Sequence, residues 1–409
     1  MRGLLVNQWS NIGEDVYYKL RLNSPPGGWF PALQELNWCI TKSNHPYTSM
    51  FFSPHLKKVH LAIPWSPIQP EVLNGILPGF ASTITVLPTS ALQYLSIDTD
   101  DCGMRWECLQ VSFSSVILRC GPSLTELTSP IPLSDAAKNH VIRLPHLHTW
   151  HVQGPPPNYS VSTLPSDFPP LVDFIIGEGG GPGWISLFKQ LEGRTSSTQT
   201  PWSRVKESLK YLKVKRCSGL IIDIPFVSLI QRFRNLVGLE IEIHCYDGDG
   251  EGQCAFNLND DNITKFAMAL PQLESLVLGH PCSDNTCATT VASLLAVSVH
   301  CVKLEQLEIH FNTTNIVGDL EDILVAPRFQ QLRSLPRCKL SSLDVSGIPL
   351  DLDESDFDTV VSGMIGIFPF LESCDGFERI WEEMFEEFWG DDDSPSASPV
   401  SGSLDFPFA

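Results

Sequence analysis

Apolar residues recur along this chain in one frame, L-x-x-L-x-[LIVW]. The first, fourth and sixth positions are apolar and those between them are mostly polar. Well-formed copies run from Leu33, Leu56, Leu92, Leu147, Leu171, Leu209, Leu236, Leu273, Leu304 and Leu340, with degenerate copies at Leu124–Leu127 and Leu371–Cys374. Successive copies begin 23 to 38 residues apart, within or just beyond the period range of leucine-rich repeats. The fourth and sixth positions lie two apart, so in a strand they share a face. Leu239 and Ile241 are therefore predicted to point inward, with Gly238, Glu240 and Glu242 facing outward.

Between the copies the apolar spacing changes to about 3.6 residues, as in 227–236, 262–270 and 289–301, which predicts amphipathic helices. Strands can be parallel neighbours only when something crosses between them, so each repeat is expected to be a βα unit. The predicted fold class is an α/β leucine-rich-repeat solenoid, a curved parallel sheet with helices on the convex side and about ten to twelve irregular repeats. Residues 1–30 are expected as an irregular lead-in and 31–375 as the solenoid. Residues 376–390 should be an acidic amphipathic capping helix, with Ile380, Met384 and Phe388 on its apolar stripe. Residues 391–409 have the composition of a disordered acidic Ser/Pro tail. Cys217 and Asn312 fill the ninth position of a fuller consensus, where a polar side chain can bond the turn.

Composition narrows the function. A formal charge of −20 argues against a nucleic-acid groove, which needs clustered Lys and Arg. No apolar run reaches the ~18 residues of a membrane span, and the first residues are too short an apolar stretch for a signal peptide. A cytoplasmic or nuclear location follows, in which the 12 cysteines are expected as reduced, mostly buried thiols.

Reactive chemistry finds little support. Gly177–Gly183 lacks the G-K-[ST] ending of a phosphate loop. Asp247–Glu251 resembles a calcium loop, yet the twelfth position counted from Asp247 is Leu258. Cys282 and Cys287 do not form a paired zinc motif, and no G-x-S-x-G is present. His60, His151, His244 and His310 fall in or just after strands and project outward, as recognition residues rather than bases. No catalytic residue, metal or cofactor is assigned. The outward strand positions instead form a candidate protein-binding face: Glu35, Asn37, Lys58, His60, Tyr94, Ser96, Thr149, His151, Lys213, Lys215, Glu240, Glu242, Gln306, Glu308, Ser342 and Asp344. A parallel sheet exposed on one face is unusual outside binding solenoids.

The stretches Phe30–Trp38, Phe52–Leu61 and Leu270–Leu278 resemble the repeats of the large fungal F-box/leucine-rich-repeat families over about residues 30–375. That resemblance implies the substrate-receptor part of an F-box-type ubiquitin ligase component. In such proteins an amino-terminal F-box of about 40–50 residues holds the Skp-type adaptor of a cullin ligase. Residues 1–30 contain no such module, so an adaptor is expected only if an F-box lies upstream. The chain is expected to be a truncated product, or a relative without the ligase connection. The alternatives are a free-standing scaffold or regulator and, as an enzyme, a hydrolase. The expected partner is a protein, with no nucleic acid and no membrane.

Overall fold

The structure, a computed structural model, describes residues 3–5, 13–25, 29–40, 44–63, 70–99, 106–154, 156, 169–177, 182–186, 201–215, 224–242, 258–278, 288–309, 311–325, 338–344 and 354–375. Thirteen strands form one open sheet in simple chain order. They are β1 (Gly3–Leu5), β2 (Glu35–Cys39), β3 (Lys58–Ile63), β4 (Tyr94–Thr99), β5 (Glu126–Thr128), β6 (Thr149–Val152) and β7 (Asp173–Ile176). The sheet continues with β8 (Tyr211–Val214), β9 (Gly238–Ile241), β10 (Ser275–Leu278), β11 (Gln306–Ile309), β12 (Ser342–Asp344) and β13 (Ser373–Asp375). Every pairing is parallel.

Helices among the described residues include α1 (Glu14–Leu22), α2 (Pro70–Thr85), α3 (Gln110–Arg119), α4 (Asp135–Val141) and α5 (Pro201–Ser208). They continue as α6 (Ile224–Ile230), α7 (Asp260–Ala269), α8 (Val291–His300), α9 (Ile316–Val325) and α10 (Glu354–Ile367). Sequential helices touch, as α2 with α3, α3 with α4 and α7 with α8. Strands stack about 4.8 Å apart while helices need about 8–10 Å. The helical layer must therefore follow the longer arc, which puts the sheet on the inside of the curve.

One buried residue per repeat fixes the register. The fourth motif position aligns from strand to strand as Leu36, Val59, Leu95, Leu127, Trp150 and Phe174, then Leu212, Leu239, Leu276, Leu307, Leu343 and Cys374. All twelve are buried. A slip by one residue would turn this column toward solvent. Both degenerate copies keep the frame, as β5 and β13.

A second ladder runs just before the strands. The carbonyl of the second motif residue accepts two N–H groups from the next repeat. Gln34 takes those of Lys57 and Lys58, Lys57 takes those of Gln93 and Tyr94, and Val237 takes those of Glu274 and Ser275, all at 2.7–3.1 Å. The same shared acceptor recurs at all eleven steps from β2 to β13. Ahead of it, a tight turn delivers the first leucine. In Phe30–Leu33, Ser53–Leu56, Gly121–Leu124, Leu144–Leu147, Leu270–Leu273 and Phe368–Leu371 the leucine N–H bonds the carbonyl three residues back. Each of these turns has Pro in its second place, where a fixed φ near −65° suits a β-turn.

Helix ends are tied across repeats. Asn259 caps α7 by accepting from the Asn262 N–H. The carboxylate of Asp260 reaches the next repeat and caps α8, accepting from Thr290 N at 2.7 Å, Thr290 Oγ1 at 2.9 Å and Ser293 Oγ at 2.5 Å. Buried thiols play a similar part: Cys338 Sγ donates to the Leu304 carbonyl, and Cys301 Sγ to those of Ala267 and Leu270.

The sheet begins earlier than the expected boundary at residue 31, so the strands outnumber the expected ten to twelve repeats. Within 1–30, β1 pairs with β2 and α1 buries Tyr17. The Tyr17 ring stacks on Tyr47 and meets Trp38 edge-on. Aromatic packing thus replaces the leucine frame in this first unit. Asn312 acts as expected, its Oδ1 accepting the Thr314 N–H. Cys217, the expected capping helix at 376–390 and the tail at 391–409 lie outside the described residues.

Candidate functional site

Strand alternation buries one face of the sheet and leaves the other as ordered rows of side chains. The row at the start of the strands reads Glu35, Lys58, Tyr94, Glu126, Thr149, Asp173, Tyr211, Gly238, Ser275, Gln306, Ser342, Ser373. Two residues on, a parallel row holds Asn37, His60, Ser96 and Thr128. It resumes as His151, Ile175, Lys213, Glu240, Val277, Glu308, Asp344 and Asp375.

Of the sixteen residues predicted for the face, all but one keep some exposure. Ser96 is the correction, at 4% exposed. Its short side chain sits between its row neighbours His60 and Thr128 on an inward-curving surface, so outward direction alone does not give access. Glu240 also differs from the expected open position. Lys213, one strand away in the same row, closes on it as an ion pair and lies 3.8 Å from Glu242. Glu35 and Lys58 pair at 3.4 Å. His244 and His310 lie outside the described residues.

The centre of the face has the strongest electrostatics. Crowding by the curved sheet strips water from the His151 imidazole, and Lys215 and then Lys213 add repulsion. Together they bring its pKa down to about 4. Asp173 is pushed up, first by desolvation and then by Glu126, with Lys213 opposing. Lys213 is lowered by desolvation and by Lys215, against the pull of Glu242, Asp173 and Glu308. At neutral pH His151 is therefore an uncharged hydrogen-bonding ring, 3.4 Å from Gln153 Nε2. Two further imidazoles make contacts, His148 Nδ1 to Thr149 Oγ1 at 3.3 Å and His140 Nε2 to the Cys120 carbonyl at 2.9 Å.

Two glycines let neighbouring side chains lie flat on this surface. A Cβ on Gly238 would come 2.8 Å from the Tyr211 ring, and one on Gly177 would overlap the Gln153 amide. Tyr211 is consequently a broad aromatic platform, 45% exposed and braced from one side. Tyr211, like Asp173, Glu126 and Asp375, was not among the outward residues predicted from the sequence. The L-x-x-L alignment would have placed all four in the rows.

A separate concavity of about 760 Å³ lies off the face, where the turn before β9 meets α7, lined in part by Glu207, Lys210, Arg232, Arg234 and Met268. Among the described residues no cluster of His, Cys, Asp and Glu could hold a metal ion. No helix there is long and apolar enough to cross a membrane. The described cysteines, Cys39, Cys108, Cys120, Cys301, Cys338 and Cys374, are free thiols.

No protein-family model matches the chain, and no curated protein matches it either.

Proposed function

We propose that this chain is a non-enzymatic protein-recognition solenoid that engages its partner through the open face of the sheet. By its resemblance to fungal F-box/leucine-rich-repeat proteins, it is the substrate-receptor part of an F-box-type ubiquitin ligase component. The observation that carries the first part is the one-sided burial of a thirteen-stranded, all-parallel sheet. Parallel sheets are normally covered on both faces, and solenoids that leave one open use it as an extended contact surface. The rows offer what recognition needs: an exposed tyrosine, graded polar groups and charges in a fixed register. The ligase role rests on the resemblance alone.

The test uses the tagged full chain as bait beside two variants. One carries Asn37→Arg, Thr149→Arg, Gln306→Arg and Ser342→Arg on the sheet face. The other carries Val111→Arg, Leu118→Arg, Met268→Arg and Val325→Arg on exposed helix positions. The reading expects a partner retained by the wild type and the helix variant and lost by the face variant; the reverse pattern refutes it. Capture of a Skp-type adaptor together with the partner, by the chain extended to include an in-frame upstream F-box, supports the ligase role. No in-frame F-box upstream, or a partner held by that extended chain without the adaptor, favours a free-standing scaffold or regulator.

A further inference from the structure

Charge is divided unevenly along the solenoid. Residues 1–216 carry 18 Lys and Arg against 15 Asp and Glu, whereas residues 217–375 carry eight against 23. On the open face this division becomes geometry. In the second row, Glu308, Asp344 and Asp375 are direct neighbours on β11, β12 and β13. Strand spacing of about 4.8 Å leaves them side by side, and like charges in that position oppose the stability of the sheet itself. Nothing in the repeat frame demands acids there, since the same row holds Asn37, His60 and Thr128 in earlier repeats.

The fold also displays what such carboxylates accept. At the first acid of the row, Glu240, the neighbouring strand supplies Lys213, whose ammonium is held by Glu240 and Glu242. Beside that pair stands the half-exposed Tyr211 platform, with Gly238 on one side and Asp173 of its own row on the other. An exposed aromatic face next to carboxylates is suited to a guanidinium, which stacks on the ring while donating to the acids. A divalent cation fits less well, because none of these groups forms a metal-holding cluster among the described residues. A nucleic acid has the wrong sign.

We propose that the open face from β8 to β13 receives an arginine- and lysine-rich segment of a protein partner. Tyr211 is the aromatic anchor, and Glu308, Asp344 and Asp375 are the carboxylate row. This rests on the reading that the sheet face is the recognition surface, and it adds the chemistry of the occupant.

The test is fluorescence anisotropy of the full chain with a labelled twelve-residue peptide of Arg, Lys and Ser, at neutral pH and 0.15 M salt. Three variants are compared. E308Q/D344N/D375N neutralises the row. D261N/E321Q/D322N removes the same charge from exposed helix positions. Tyr211→Ser removes the ring. Three exposed ion pairs and one exposed cation–π contact imply about a tenfold loss for the first variant and roughly a threefold loss for Tyr211→Ser. The helix-side variant should stay within about twofold of wild type. Equal losses for the two charge variants would reduce the effect to net charge and overturn the proposal, as would a row variant that binds like wild type. Such a failure would leave the recognition reading intact if the Asn37, Thr149, Gln306 and Ser342 substitutions still release the bait's partner. If the bait's partner survives those four changes, the face itself is misassigned.

Discussion

Replacing Leu239 by alanine is the sharpest probe of the stacked architecture. Leu239 is 1% exposed at the middle of the buried column, in register with Leu212 on β8 and Leu276 on β10. Shortening it removes buried methyl groups and leaves a void that flanking repeats can only partly close, at a cost of about 2–5 kcal/mol. In a solenoid each repeat contacts only its neighbours, so the loss should be local. Every 1.4 kcal/mol is a factor of ten, so exchange through local opening should accelerate roughly thirty-fold to several-thousand-fold. Hydrogen exchange read by mass spectrometry should show this in β8, β9 and β10 while β3 and β4 keep wild-type protection. Gln306→Ala, at an exposed outward position, should change protection by less than about 0.5 kcal/mol. Glu240 would be a poor control because it holds Lys213. Unchanged protection around β9, or equal loss in β3 and β9, would refute the inward column or the nearest-neighbour coupling.

Further outcomes follow from the same geometry. His151 has a folded-state pKa near 4 against an ordinary 6.5, so between those values the unfolded chain binds a proton that the folded chain refuses. Stability should therefore fall as pH drops from about 6.5 to 4, and His151→Gln should flatten that limb; equal slopes in denaturant midpoints would count against it. Burial raises the pKa of Cys120, Cys301 and Cys374 to about 12 and of Cys338 to about 11, so these thiols should react with a thiol reagent only after unfolding. Exposed Cys108 should react at once, and rapid native-state labelling of the other four would contradict their placement. Asp260→Ala strips the cross-repeat cap from α8 and should cost about 2–3 kcal/mol, read as faster exchange confined to α7 and α8; wild-type protection there would dismiss the cap.

Most of the sheet was legible because one hydrophobic column needs only a repeated frame, and Leu33 through Cys374 supply it with few breaks. Even Leu127 and Cys374, in imperfect copies, sit in register. What escaped had no frame to carry it. Strand β1 is three residues long, and α1 docks through Tyr17 on Trp38 and Tyr47, contacts that depend on aromatic shape instead of period. On the face, direction was readable but accessibility was not. Ser96 is too short to clear its row, and Lys213 meets Glu240 only because two strands 27 residues apart in sequence are aligned in space.

The shared carbonyl before each strand makes the length of this molecule a discrete quantity. Both donors at each step must be N–H groups, so proline is barred from twenty-two positions, and none of the chain's 32 prolines occupies one. The same ledge defines where the chain can be cut and rejoined. Removing 237–273 and joining Leu236 to Glu274 restores the L-x-x-L frame through Ser275 and Leu276. The Lys210 carbonyl would then face the amides of Glu274 and Ser275 in place of those of Val237 and Gly238. Helix α8 would meet α6, without the carboxylate that now caps it. Insertions between ledges can be of almost any length, whereas at the ledge the shortest tolerable edit is a whole repeat.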